Sequence, residues 1–459
     1  MTRAAVVLAA GKGTRFKSEL AKVLHPVAGR TMLRWVLGAL RPLELDRVIV
    51  VVGHQHEQVA AEAAQVEDLD VVAVHQPEQR GTGHAVRVAF DQGVLDGIDS
   101  VLVVPGDAPL IGGAPLAELF AAQHGKAVAL MSTTLDDPTD YGRIIRDTDG
   151  HVVRVVEERD ANPAERALRE VNTSMYVFAG DLLRAELAHL RIDNDQGEEY
   201  LTDVVEPLTA SGVVAVQAAK QAVGGVNDRE QLARAGAVLR ASILSTLMID
   251  GVTIIDPTST WVEADCVVEP DAVLLPGTYL EGATWIERSA VVGPHTRLVD
   301  TRVARTARVT FTVAVSASIG PGAEVGPFTY LRPEAQLEDG AKAGAFVEVK
   351  QSVIGPGSKV PHLSYIGNTT IGRNTNVGAA TVTVNYDGRR KHHTTIGDRV
   401  RIGSDTMLIA PLKVGDDAYT GAGSVITRDV PAGALAIERG EQRNIEGYAD
   451  RKRTPDERR

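Results

Sequence analysis

Residues 396–426 read IGDRVRIGSDTMLIAPLKVGDDAYTGAGSVI, and every sixth position is aliphatic or Thr: Ile396, Ile402, Leu408, Val414, Thr420 and Ile426. The same period runs through Val262, Val268, Leu274, Leu280, Ile286, Val292 and Leu298. It returns in Ile319, Val325, Leu331, Leu337, Ala343 and Val349. A helix gains nothing from this spacing, because six steps of about 100° turn the side chain through about 240° and leave no stripe. In extended chain an even step returns every repeated side chain to the same face. Glycine often follows the aliphatic, as in Ile319-Gly320, Ile371-Gly372 and Ile402-Gly403, and is read as marking corners between short strands. The pattern predicts a parallel β-helix in which each coil buries its aliphatics against the coils above and below.

A chain of 459 residues calls for two or three domains. Aromatics make up only 4%, which suits a solenoid packed with Val, Ile, Leu and Ala. The formal charge of −12 argues against a general binder of nucleic acid or anionic membrane, so an anionic ligand must be held by local cations. The single Cys266 excludes an internal disulfide and a cysteine zinc site, and fits a reducing cytoplasm. Near the start, Arg3 and the run AAVVLAA lead directly into Gly11-Lys12-Gly13-Thr14-Arg15, which reads as a buried strand feeding a loop rather than a secretory leader. No stretch is expected to reach the roughly 18 to 20 apolar residues of a membrane span. The expectation is a soluble cytoplasmic protein.

Ahead of the repeats, apolar runs at 6–10, 48–52, 71–74 and 101–104 read as strands, with helical patterns around 32–40, 56–64 and 84–90. Further strands are expected at 127–131, 151–156 and 174–178. Such alternation predicts a mostly parallel sheet with helices on both faces and ligands at the carboxyl ends of the strands. The expected domains are 1–227, a linker helix over 228–248, and a repeat domain over 249–459. Its last residues, 451–459, carry five basic and two acidic side chains and read as a solvated tail in preference to a phosphate contact.

The segment LAAGKGTR, 8–15, ends the first strand. It is neither a P-loop nor a dinucleotide fingerprint, since Phe16 stands where the latter needs glycine. Its backbone N–H groups can still face a phosphate, and Arg15 and Lys22 supply two cations suited to a triphosphate. His84 reads as structural, and His54 and His56 as ordinary histidines without metal partners.

The pattern LAAGKGTR…KVLH resembles the start of sugar-1-phosphate nucleotidyltransferases. Gln76, Gly81-Thr82-Gly83-His84, Gly106-Asp107, Tyr141-Gly142-Arg143, Glu157, Asn172-Thr173 and Gly225-Val226-Asn227 follow in family order. With the hexapeptide repeats, essentially the whole chain resembles the bifunctional bacterial N-acetylglucosamine-1-phosphate uridyltransferase/glucosamine-1-phosphate N-acetyltransferases. The resemblance implies a Rossmann-like α/β nucleotidyltransferase domain followed by a left-handed parallel β-helix. It implies that Leu8, Ala9, Ala10, Gly11, Gln76, Gly81 and Thr82 bind the uridine nucleotide of UTP, with Gly106 beside them. Arg15 and Lys22 would hold its phosphates, and Gly142, Glu157 and Asn172 would read the N-acetylglucosamine. Asp107 and Asn227 would bind Mg²⁺, whose preference for oxygen ligands they suit. Ala21 departs from a common Pro, Pro105 from an occasional Tyr, and Ala380 from a common Gly.

In the second half, function must come from interruptions of the period. The register slips between Ile366 and Ile371, and an insertion over 385–395 holds Asn385-Tyr386-Asp387-Gly388. Arg332 and Lys350 lie 18 residues apart and stack if three hexapeptides make one coil. His362 is the expected general base, because an attacking amine must lose a proton and imidazole is poised near neutrality. The resemblance places glucosamine-1-phosphate on Arg332, Lys350, Tyr365 and Asn376. It places acetyl-CoA on Ala379, Asn385, Tyr386, Ser404, Ala422 and Arg439, and implies a homotrimer. The implied activity is acetyl transfer to glucosamine-1-phosphate, then uridylyl transfer from UTP, supplying peptidoglycan and lipopolysaccharide precursors. The alternatives are a monofunctional sugar nucleotidyltransferase with a regulatory β-helix, or a non-catalytic scaffold of the same shape. A scaffold has no need of Arg15, Lys22, Asp107 and Asn227, all of which are present.

Overall fold

A computed structural model describes residues 1–220 and 224–454 and divides into two compact units, Met1–Ala241 and Ser242–Arg459. The last five residues of the expected tail, 455–459, lie outside the described residues.

The first unit is built on one twisted sheet with strands in the order Val213–Gln217, Val128–Thr134, Glu170–Ala179, Ser100–Pro105, Arg3–Ala9, Arg47–Val52 and Val71–His75. Arg3–Ala9 pairs in parallel with both Arg47–Val52 and Ser100–Pro105, with Leu8 opposite Val51 and Pro105. Strand order reverses at this pair, which opens a crevice at their carboxyl ends. The expected strands and helices are found with ends moved by a few residues. Glu170–Ala179 is longer than its expected span and runs antiparallel to both neighbours. Helices such as Met32–Leu40 and Thr82–Asp91 carry one apolar face, with Leu33, Val36, Leu37 and Leu40, or Val86 and Ala89, buried against the sheet.

The second unit is the parallel β-helix that the period predicted, left-handed as the resemblance implied: three parallel sheets of 11, 10 and 9 strands, one strand from each making a coil. Leu280, Leu298, Ala314, Leu331, Val349 and Ile366 form one fully buried column, and the other faces contribute equivalents. Leu331 pairs with Val349 but Val292 pairs with Val309, so coils of unequal length stack in register. Many corners are held by non-glycine residues in the left-handed region, among them Phe311, Phe328, Phe346 and Leu363. Glycine after the aliphatic serves close approach instead: a Cβ on Gly403 would lie 2.6 Å from the Ala422 nitrogen in the next coil. The role expected for these glycines is corrected on that point.

The helix Arg229–Ile249 bears on the expectation that no apolar run is long enough to span a membrane. An 18-residue window of it has a mean hydropathy of 1.4, enough by length and composition for a membrane span, although Arg234 and Arg240 interrupt it. Only 17% of that window is buried. Its apolar residues are spread around the helix rather than in one run, which is why no continuous stretch was visible.

Candidate functional site

In the first unit, a cleft of about 750 Å³ opens at the strand-order reversal. Leu8, Ala9, Ala10, Gly11, Arg15, Lys22, Gln76, Gly81, Thr82, Asp107, Gly142, Glu157, Asn172 and Asn227 all line it, although they come from more than 200 residues of chain. Gly106 stands behind them, its N–H donating to the Leu8 carbonyl at 2.9 Å. That bond locks the loop ending at Asp107 onto the first strand. Tyr141, quoted in the motif with Gly142, also lines the cleft, as do Asp140 and Ser174, which no motif marked. Their proximity to Gly142 and Asn172 was the available signal.

Lys22 joins the far sides of the cleft. Its ammonium forms an ion pair with Asp107 and donates to Asn227 Oδ1 at 3.3 Å, with both charged side chains mostly buried. The Val226 N–H donates to the Asp107 carbonyl at 2.9 Å and carries Asn227 to this point. A carboxylate and an amide oxygen therefore converge on one cation, the donor set that a hard divalent metal uses.

Gln76 is buried, and its amide donates to the Gly81 carbonyl at 3.2 Å and meets His84 Nδ1 at 2.9 Å. Burial pushes the His84 pKa down, so the neutral ring accepts this bond and fixes the amide. His84 itself stands outside the cleft lining, behind Gln76. Glu157 is pushed up by burial, with Thr202 donating to its Oε1 at 3.1 Å. The Asn172 N–H donates to the Gly142 carbonyl at 2.8 Å, while its amide donates to Tyr176, whose hydroxyl pKa burial raises steeply. Glu157, Asn172 and Gly142 thus form one polar wall with fixed donors and acceptors.

In the β-helix the expected site residues fall at two edges of one face, except Asn376, which lies on the neighbouring face in the strand Asn376–Val377. Tyr365–Gly367 is a strand of that face. At its end, Lys350 pairs with Gly367, and Arg332 lies one coil below. Arg332 is held by Glu348 at 2.9 Å. Asn385 Nδ2 donates to Asn368 Oδ1 at 2.7 Å and lies 3.5 Å from the Tyr365 hydroxyl. Lys391 joins this edge: its ammonium beside Lys350 holds the Lys350 pKa below the ordinary amine range. Lys391 belongs to the basic run Arg389-Arg390-Lys391 inside the insertion over 385–395, and that run was the signal in the sequence. Three crowded cations are suited to a dianionic phosphate. Tyr386 stands exposed, its hydroxyl closing the turn on the Gly388 carbonyl at 2.8 Å.

The other edge precedes this strand. His362 ends the strand Lys359–His362, and Lys359 pairs with Asn376 in the next coil. Above it the Ala380 N–H donates to the His362 carbonyl, Asp405 to Ala379, and Gly423 to Ser404. Arg439 closes the column, donating to the Ala422 carbonyl at 3.0 Å. His362, Ala379, Ser404, Ala422 and Arg439 therefore climb one corner coil by coil. The residues that the resemblance assigns to this unit therefore fall into separate groups on one chain.

The MobA-like NTP transferase domain family matches residues 5–209, and the bacterial transferase hexapeptide family matches residues 393–428. The bifunctional protein GlmU of Streptomyces avermitilis is 50% identical over 98% of this chain and 94% of its own length. That of Mycolicibacterium vanbaalenii is 49% identical over 98% and 93%, and that of Corynebacterium glutamicum strain R is 48% identical over 98% and 94%.

Proposed function

The chain belongs to the family of bifunctional GlmU proteins, and from that premise we propose that it makes UDP-N-acetylglucosamine in two steps. Residues 1–227 carry the uridyltransferase and 249–459 the acetyltransferase, joined by the helix at 228–248. In the first step the amine of glucosamine-1-phosphate attacks the thioester carbonyl of acetyl-CoA. The C–N bond forms, the amine proton passes to His362, and as the C–S bond breaks His362 returns a proton to the sulfur, releasing coenzyme A as its thiol. Arg332, Lys350, Tyr365 and Asn376 hold the sugar phosphate, with Lys391 as a third cation. Ala379, Asn385, Tyr386, Ser404, Ala422 and Arg439 hold acetyl-CoA.

In the second step a phosphate oxygen of N-acetylglucosamine-1-phosphate attacks the α-phosphorus of UTP and pyrophosphate leaves. Phosphoryl-type transfer depends on positioning and charge neutralisation more than on covalent help. Lys22 and Arg15 neutralise the triphosphate, and Glu157, Asn172 and Gly142 orient the sugar. Bound at Asp107 and Asn227, Mg²⁺ supplies Lewis-acid neutralisation of the phosphate oxygens. The convergence of Lys22, Asp107 and Asn227 at the strand-order reversal is the observation that carries this reading. The protein works in the cytoplasm as a homotrimer, and the separation of His362 from Lys350 across one face supports a site shared between copies.

The test assays each half-reaction alone. Asp107→Ala is expected to lose uridylyl transfer by at least a hundredfold and keep acetyl transfer; His362→Ala is expected to do the reverse. Near-normal acetyl transfer in His362→Ala would remove the histidine from the mechanism.

A further inference from the structure

We infer that Asp140 is a positioning residue through which the arrival of the nucleotide's phosphates is communicated to the sugar subsite. Its carboxylate holds Arg15 Nη1 at 3.1 Å across the mouth of the cleft, with the two side chains 64% and 58% exposed. An exposed pair of this kind is weak, so a triphosphate can take Arg15 from it. The Asp140 backbone is tied the other way. Its φ is 71°, a left-handed conformation, and its N–H donates to the Glu158 carboxylate. Glu158 faces the Arg143 guanidinium at 3.6 Å. Arg143 is almost fully buried and donates to the carbonyl oxygens of Tyr141 and, at 3.4 Å, of Arg166. An unbroken chain therefore runs from Arg15 through Asp140, Glu158 and Arg143 to Tyr141, which precedes the sugar-facing Gly142.

Before the nucleotide binds, the ion pair tethers the Tyr141–Gly142 turn to the phosphate loop. When UTP takes Arg15 the tether opens, the turn is free to settle on the sugar, and the sugar phosphate binds more tightly. Coupling between binding sites is reciprocal, so each substrate tightens the other by the same factor. The inference rests on the uridyltransferase reading above.

Asp140→Asn tests it, because asparagine tolerates the left-handed conformation and keeps the backbone donor while removing the charge. Calorimetry on the full chain measures N-acetylglucosamine-1-phosphate affinity with and without an α,β-methylene UTP analogue in Mg²⁺ buffer. The native protein is expected to bind the sugar phosphate about two- to fivefold more tightly with the analogue. In Asp140→Asn that ratio is expected to fall to about one through tighter binding without nucleotide, and Asp140→Glu to recover part of it. A ratio unchanged in Asp140→Asn, or a native ratio of one, would overturn the inference while leaving the uridyltransferase intact. Absence of any binding by the native protein would instead overturn the function on which it rests.

Discussion

At position 21 the backbone N–H donates to Gln55 Oε1 at 2.7 Å, a bond that the Pro of the usual pattern would lack. The departure thus has a local compensation: Gln55 holds the loop that a proline ring would have stiffened. Ala380 sits at a φ of 60°, so its methyl carries the strain that a glycine avoids, directly above His362. Pro105 lines the cleft wall beside Leu8 and adds no polar group there. His25 shows what burial does to a single titratable group. It is buried against Phe16 with ring centroids 4.7 Å apart, and its Nε2 has no partner. Burial, aided by Arg229, lowers its pKa from the ordinary 6.5. As pH falls through about 6.5 the unfolded chain takes up this proton while the folded chain does not. Stability is therefore lost on acidification through that window. His25→Gln is expected to show a smaller fall in Tm from about pH 7.5 to about pH 5.5 than the native protein. Some fall remains, because His84 is shifted in the same direction. An unchanged fall would show that His25 ionises as freely in the folded state as in the unfolded one.

The coil of the β-helix is an element whose tolerance is set by backbone approach. Gly403→Ala places a methyl 2.6 Å from the Ala422 nitrogen and the same distance from the Thr420 carbonyl oxygen. Neither neighbour is a flexible side chain, so the coils must separate. Overpacking of this sort costs about 1–3 kcal/mol. The expected result is a lower Tm together with a raised KM for acetyl-CoA, because Ala422 belongs to the column proposed to carry that substrate. Uridylyl transfer at moderate temperature is expected to persist. A KM that stays fixed while Tm falls would separate the column from acetyl-CoA binding. The period itself was legible in the sequence; the purpose of its glycines was not. Spacing fixes which side chains face inward, whereas the gap to the next coil exists only after stacking.

For the whole molecule, the separation of the cations from the histidine sets a clear expectation. Arg332, Lys350 and Lys391 lie at one edge of the face and His362 at the other. If a site draws its cations from one copy and its base from the next, Lys350→Ala and His362→Ala fail in different sites. Each variant alone is expected to lose acetyl transfer. Mixing them under conditions that exchange subunits is expected to restore up to about a quarter of native activity, since random reassembly leaves some sites with both native residues. No recovery after verified exchange would place the whole site on one chain. Uridylyl transfer is expected to stay unchanged in both variants and in the mixture.

The β-helix, the alternating α/β unit before it, and most residues that line the cleft were legible along the chain. These are properties of local order: a period of six, apolar runs between helical patterns, and motifs at fixed positions along strands. Folding alone set Lys22 between Asp107 and Asn227, tied Arg15 to Asp140, and brought Lys391 beside Lys350. It also decided that His362 and Lys350 stand apart on one chain. Such meetings and separations depend on strand order and on the length of each coil. Neither is encoded at any single position; both arise when the sheet pairs and the coils stack.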